Sequence, residues 1–164
     1  MPMIKHRHLV LLLAFTVLVF SGVLECRADA DGSFGDGGSP EERYLFYTKK
    51  MAEKGKAKAQ FLLADMYYSG EGISQDFTKA FKWYRKAAEQ GNAKAQYNLG
   101  LMYSKGEATP VNYTFAYAWS SLAATQGHEK ARRNRDIFGS KLTPPQLEKA
   151  RELAAKIQDQ VKRP

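Results

Sequence analysis

With 164 residues the chain has room for one domain with a modest core. Its formal net charge is +8, and its single cysteine, Cys26, falls in a leader segment, so neither disulfides nor thiolate chemistry are expected in the remainder. A basic surface suits acidic partners or anionic envelope polymers, although lysines spread over helix surfaces are the ordinary source of such a charge.

The chain opens as a secretory leader. Lys5, His6, Arg7 and His8 precede an apolar run from Leu9 to Phe20, which continues through Ser21-Gly22 to Leu24. Positive residues, a short apolar stretch and then small residues form the pattern of a signal peptide, and Ala28-Asp29-Ala30 supplies an A-x-A cleavage site. The run falls short of the ~20 apolar residues of a spanning helix, so retention as a membrane anchor is the second reading. Leu24-Glu25 lacks the small residues that a lipoprotein site at Cys26 needs. Cleavage removes Lys5, Arg7, Arg27 and Glu25, leaving about +6 on residues 29–164. Residues 1–28 are assigned to the leader and 29–40, DADGSFGDGGSP, to a flexible linker.

From residue 41 the chain repeats itself. Residues 56–91 and 92–127 superpose without a gap, sharing Ala57/Ala93, Ala59/Ala95, Gln60/Gln96, Leu63/Leu99, Met66/Met102, Tyr67/Tyr103, Gly70/Gly106, Trp83/Trp119 and Gly91/Gly127. Residues 41–55 form a half copy, with Tyr47, Ala52 and Gly55 one period before Trp83, Ala88 and Gly91. A period of 36 is that of stacked helical hairpins.

Each repeat resolves into two helices. Ala59, Leu63, Met66 and Tyr67 share a face of the first, and Gly70 ends it. Asp76 caps the second, with Asn112 at the same place in the next repeat. Ala80, Trp83, Tyr84 and Ala87 are its expected buried stripe, and Gly91 closes it. A cut-short third unit, within residues 128–164, predicts a helix over Glu129–Phe138 with Gly139 as its stop. Thr143, Pro144 and Gln146 then start a last helix as cap, first position and capping box. Its apolar face, Leu147, Ala150, Ala154, Ile157 and Val161, is expected to cover the open end of the stack. The fold expected is all-α, with seven helices.

The strings A-x-A-Q-x-x-L-x-x-M-Y-x-x-G-E-G and K-A-x-x-W-Y-x-K-A-A-x-x-G, carried by Ala57 to Gly72 and by Lys79 to Gly91, resemble the Sel-1-like repeat, a relative of the tetratricopeptide repeat. The second copy departs at Ala108, Phe115 and Ser120. The resemblance implies a right-handed α-solenoid of helix-turn-helix repeats with a capping C-terminal helix. It also implies a scaffold whose first helices line a concave groove for peptides or protein surfaces. A cysteine-rich branch of the family is linked to β-lactam binding or hydrolysis; this chain lacks those cysteines, so that activity stands only as the alternative.

No catalytic constellation is legible, and no metal or cofactor site. His128 has Arg132, not a second histidine, four residues on. There is no Ser-x-x-Lys and no Gly-x-Ser-x-Gly, and Gly70-x-Gly72 lies between helices rather than after a strand. Lys130, Arg132, Arg133 and Arg135 cluster on one short helix and read as a solvated face. Nucleic acid is not expected as a partner of an exported chain. The expected partner is a protein or peptide of the cell envelope, bound by a monomer in the periplasm or outside the cell. Membrane contact is expected only if the leader is kept. On the first helices, the side away from the packed stripe carries Lys58, Leu62, Asp65, Tyr68, Lys94, Asn98, Leu101 and Ser104. These are the candidate contact residues; completing the packing between repeats is the competing reading for them.

Overall fold

The structure, a computed structural model, describes residues 38–162. Residues 1–37, which hold the expected leader, Cys26 and most of the expected linker, lie outside the described residues. The chain divides into two units, Met1–Gly38 and Ser39–Pro164, and the described residues belong almost wholly to the second.

Among them are seven α-helices and no strand: α1 (Pro40–Glu53), α2 (Ala57–Ser69), α3 (Phe77–Glu89), α4 (Ala93–Lys105), α5 (Tyr113–Thr125), α6 (Glu129–Gly139) and α7 (Pro144–Lys162). Local chemistry sets their ends. Ser39 Oγ accepts from the Glu42 amide while the Glu42 carboxylate accepts from the Ser39 amide, with Pro40 at the first helical position. Helix α1 therefore begins one residue before the half repeat read from the sequence. Asp76 and Asn112 accept from the Lys79 and Phe115 amides and cap α3 and α5. Gly70 and Gly106 end α2 and α4 with φ of 80° and 76°, a conformation that a Cβ penalises.

Two expected ends differ. Helix α6 runs through Gly139 to a cap at Ser140. Gly139 instead sits against a neighbouring helix: a Cβ there would stand 3.2 Å from the Tyr117 ring of α5. At α7, Gln146 Oε1 accepts from both the amide and the hydroxyl of Thr143, so only the Gln146 half of the expected capping box forms.

Helices α1 to α6 pack each on the next in chain order, and small residues permit close approach. Ala64, Ala80, Ala87, Ala88, Ala95, Ala118 and Ala123 are fully buried, around Leu63, Leu99, Met102 and Tyr84. Helix α7 breaks this order, lying mainly on α5 and reaching α3. Its Ile157 joins the core while Leu153, Ala154 and Val161 pack against it. Its effect is visible in the tryptophans. Trp119 on α5 is 5% exposed beneath α7, whereas Trp83, its counterpart one period earlier, is only partly buried. The expected stripe of α3 is corrected accordingly: Ala80, Tyr84, Ala87 and Ala88 are buried, and Trp83 lies at the margin.

The repeated glutamines act as staples. Gln60 Nε2 donates to the Ala52 carbonyl and Gln96 Nε2 to that of Ala88, each eight residues back at the end of the preceding helix. Their carbonyl oxygens accept from Gln90 and Gln126, thirty residues on. A buried amide satisfied from both sides fixes register between successive helices.

One strained point follows from the repeat. Ala108 has φ 61°, where Gly72 stands in the first copy at 68°. A left-handed alanine costs ~1–2 kcal/mol, and glycine returns only ~0.4–1 kcal/mol of that to unfolded-chain entropy. Ala108→Gly is therefore expected to stabilise the fold by about 0.5–1 kcal/mol, measured by urea denaturation.

Candidate partner-binding site

The candidate residues all lie on α2 and α4, one period apart, but the structure uses them unequally. Lys58 and Lys94, at equivalent positions near the starts of the two helices, are exposed. Leu62 and Leu101 are partly buried, and Ser104 Oγ donates to the Leu101 carbonyl at 2.8 Å.

Asp65, Tyr68 and Asn98 hold the two repeats together. Asp65 Oδ1 accepts from the Tyr84 hydroxyl and from Asn98 Nδ2 at 3.3 Å, joining α2, α3 and α4. Burial raises the Asp65 carboxyl above its ordinary value, opposed by the Tyr84 hydrogen bond and the Lys94 charge. Burial and the Asp65 carboxylate push the Tyr84 phenol far above its ordinary range, so it stays a protonated donor at any physiological pH. Such a phenol serves neither as base nor as nucleophile. Tyr68 donates from its hydroxyl to Glu107 at 3.3 Å and accepts from Lys105 Nζ at 3.0 Å, while its ring meets Phe77 at 5.3 Å. The Tyr68 hydroxyl is the main reason the Lys105 ammonium is held above its usual range.

The geometry thus gives a face made of α2 and α4 whose middle is braced by hydrogen bonds and which exposes Lys58 and Lys94 near the starts of the two helices and Lys105 at the end of α4. No group of three or more His, Cys, Asp or Glu side chains placed to hold a metal occurs among the described residues. His128, the one histidine among them, accepts from the Ala131 amide as the cap of α6 and stacks on Tyr97 at 4.5 Å. In the α6 cluster, Arg132 pairs with Glu129 at 2.6 Å and Arg135 with Asp136 at 2.8 Å, which leaves Lys130 and Arg133 as its solvated charges.

A feature that the sequence reading missed lies on α3. A groove of about 410 Å³ runs beside Trp83 and Phe81, with Lys79, Lys82 and Lys86 around it. Lys86 Nζ stands 4.4 Å from the Trp83 ring centroid. The signal was present in the repeat comparison: Lys79, Lys82 and Lys86 align with Phe115, Ala118 and Leu122.

Comparison with known proteins agrees with this architecture. The family model described as Sel1 repeat matches residues 57–92 and 93–128. Among solved structures, c5321, a protective antigen present in uropathogenic Escherichia coli strains and displaying an SLR fold, is 36% identical with a TM-score of 0.71. The match covers 76% of this chain and 27% of that one, so the chain spans about a quarter of that relative's length. A Sel1 repeat protein from Oxalobacter formigenes is 29% identical with a TM-score of 0.55, over 73% of this chain and 98% of that one. No curated protein gives a significant match.

Proposed function

Since residues 57–128 of this chain are two Sel1 repeats, and such repeats generally serve as scaffolds for protein–protein interaction, we propose that it is an exported, non-enzymatic adaptor. In this reading it holds a protein or peptide of the bacterial envelope on the face of α2 and α4, as a monomer, in a regulatory or assembly role. The carrying observation is that Lys58 and Lys94 stand exposed at matching positions on a face whose middle is internally braced. A braced face loses little side-chain entropy on binding, and two ammonium groups favour an acidic partner. Export is supported by Lys5 to Leu24, with its positive start and short apolar run. The Escherichia coli relative's being a protective antigen accords with a surface or extracellular setting.

The test is affinity capture from the native envelope, with the captured partner's affinity then measured against the Lys58→Glu/Lys94→Glu double variant. Both residues are exposed, so the fold should be unchanged, and a loss of tenfold or more (about 1.4 kcal/mol) is expected. Unchanged affinity would remove the face assignment. Covalent labelling of the chain by a β-lactam probe would overturn the non-enzymatic reading. N-terminal sequencing of the secreted chain, expected to begin near Asp29 or Asp31, tests export.

A further inference from the structure

The two tryptophans occupy one position of the repeat in two states, and the difference points to a second binding surface. On α5, Trp119 lies under the chain's own α7, in a site lined also by Phe115, Leu153 and Ile157. On α3, Trp83 stands at the same place in its repeat, partly buried, beside an open groove. The two sites are neighbours, since Arg85 and Glu89 line both. These two residues form a 2.7 Å ion pair on the ridge between them.

The groove around Trp83 differs from its covered counterpart in charge. Where α7 sits, the repeat carries Phe115, Ala118 and Leu122; around Trp83 the same positions are Lys79, Lys82 and Lys86. Lys79 pairs with Asp76 at 3.1 Å, but among the described residues neither Lys82 nor Lys86 has a carboxylate partner. Even the ring contacts follow this exchange: Phe115 stacks on Tyr103 at 4.9 Å, whereas Lys79 stands 5.3 Å from the centroid of the equivalent Tyr67. An aromatic plate inside a basic rim has the form of an interface anchor.

We infer that the outer groove of α3 binds an acidic amphipathic helix of a partner protein, seated on Trp83 as α7 is seated on Trp119. Its apolar residues, four apart like Leu153 and Ile157, cover Trp83 and Phe81, and its flanking carboxylates meet Lys82 and Lys86. This surface is distinct from the Lys58/Lys94 face, so either can fail without the other.

The probe is a synthetic helical peptide with leucine, isoleucine and valine at the spacing of Leu153, Ile157 and Val161 and glutamate at the positions flanking that stripe. A second peptide carries lysine in place of glutamate. Binding to the purified chain is followed by tryptophan emission and by amide shifts. The glutamate peptide is expected to bind at low salt, shifting α3 resonances, and to lose affinity progressively as salt is raised. Lys82→Glu/Lys86→Glu, at two exposed positions, is expected to weaken it tenfold or more with unchanged circular dichroism, and Trp83→Ala by a similar factor. Lys58→Glu/Lys94→Glu is expected to leave it unaltered. Equal binding of the lysine peptide, or indifference to the Lys82/Lys86 reversal, would overturn the proposal. So would self-association of the chain abolished by that same reversal, since the occupant would then be a second copy.

Discussion

Replacing Trp119 by alanine is expected to destabilise the fold by about 3–5 kcal/mol, the range for a large buried aromatic, whereas Trp83→Ala is expected to cost about 1 kcal/mol. The two residues share a repeat position and a helix type, so intrinsic propensity cancels in the comparison. What remains is α7 and the apolar positions of α5 that stand where α3 carries lysines. Trp119 is 5% exposed because Leu153 and Ile157 lie over it, and its removal leaves a cavity between α5 and α7. Trp83 already meets solvent, and its truncation forfeits part of an apolar contact and the Lys86 cation–π pair, worth ~0.5–1 kcal/mol at an exposed site. Urea denaturation of both variants decides the matter. Equal losses would mean that α7 is not seated on α5 as described.

The fold was legible because repetition multiplies weak signals. A single Asp76 or Gly70 suggests a helix boundary; the same residues recurring as Asn112 and Gly106 at a fixed interval leave little alternative. What repetition conceals is any asymmetry imposed from outside the repeat. Trp83 and Trp119 read alike in one dimension, and only the course of α7 separates them, so the expected burial of Trp83 was too high. Gly139 read as a stop because glycine commonly ends helices; it lies within α6, close to a ring from another helix, which no local window shows. The candidate face was legible as a face, because helical periodicity locates it. Sequence did not tell which of its members are engaged between repeats, since Asp65 meets Tyr84 and Asn98 across 19 and 33 residues. The mismatch of Lys79, Lys82 and Lys86 with Phe115, Ala118 and Leu122 was in plain view, and gained meaning once α7 was seen covering only the second set.

The pair Asp65 and Tyr84 yields the other large effect. Asp65→Leu places at this position the residue found one period later, Leu101, yet it is expected to cost about 2 kcal/mol more than Asp65→Asn. Leucine leaves the fully buried Tyr84 hydroxyl without its acceptor, and an orphaned buried donor costs ~1–3 kcal/mol. The second repeat changes both positions, to Leu101 and Ser120, and there the smaller Ser120 hydroxyl is left buried without a hydrogen-bond partner. Tyr84→Phe should therefore recover most of the loss in the Asp65→Leu background, and a double-mutant cycle is expected to show coupling above ~1 kcal/mol. Additive losses would dismiss the hydrogen bond as a stabilising contact. The pH dependence has a definite sign. Burial raises the Asp65 carboxyl in the folded state above the 3.8 of an unperturbed aspartate, so between those two values the native state holds a proton that the unfolded state has released. This residue's contribution accordingly grows as pH falls through its folded value, is complete below about 3.8, and is withdrawn as pH rises. Asp65→Asn keeps an oxygen for Tyr84 and Asn98 but cannot titrate. The difference in stability between wild type and Asp65→Asn should move in favour of the wild type on acidification, and a difference that moved the opposite way would show a carboxylate stabilised, not strained, by its burial.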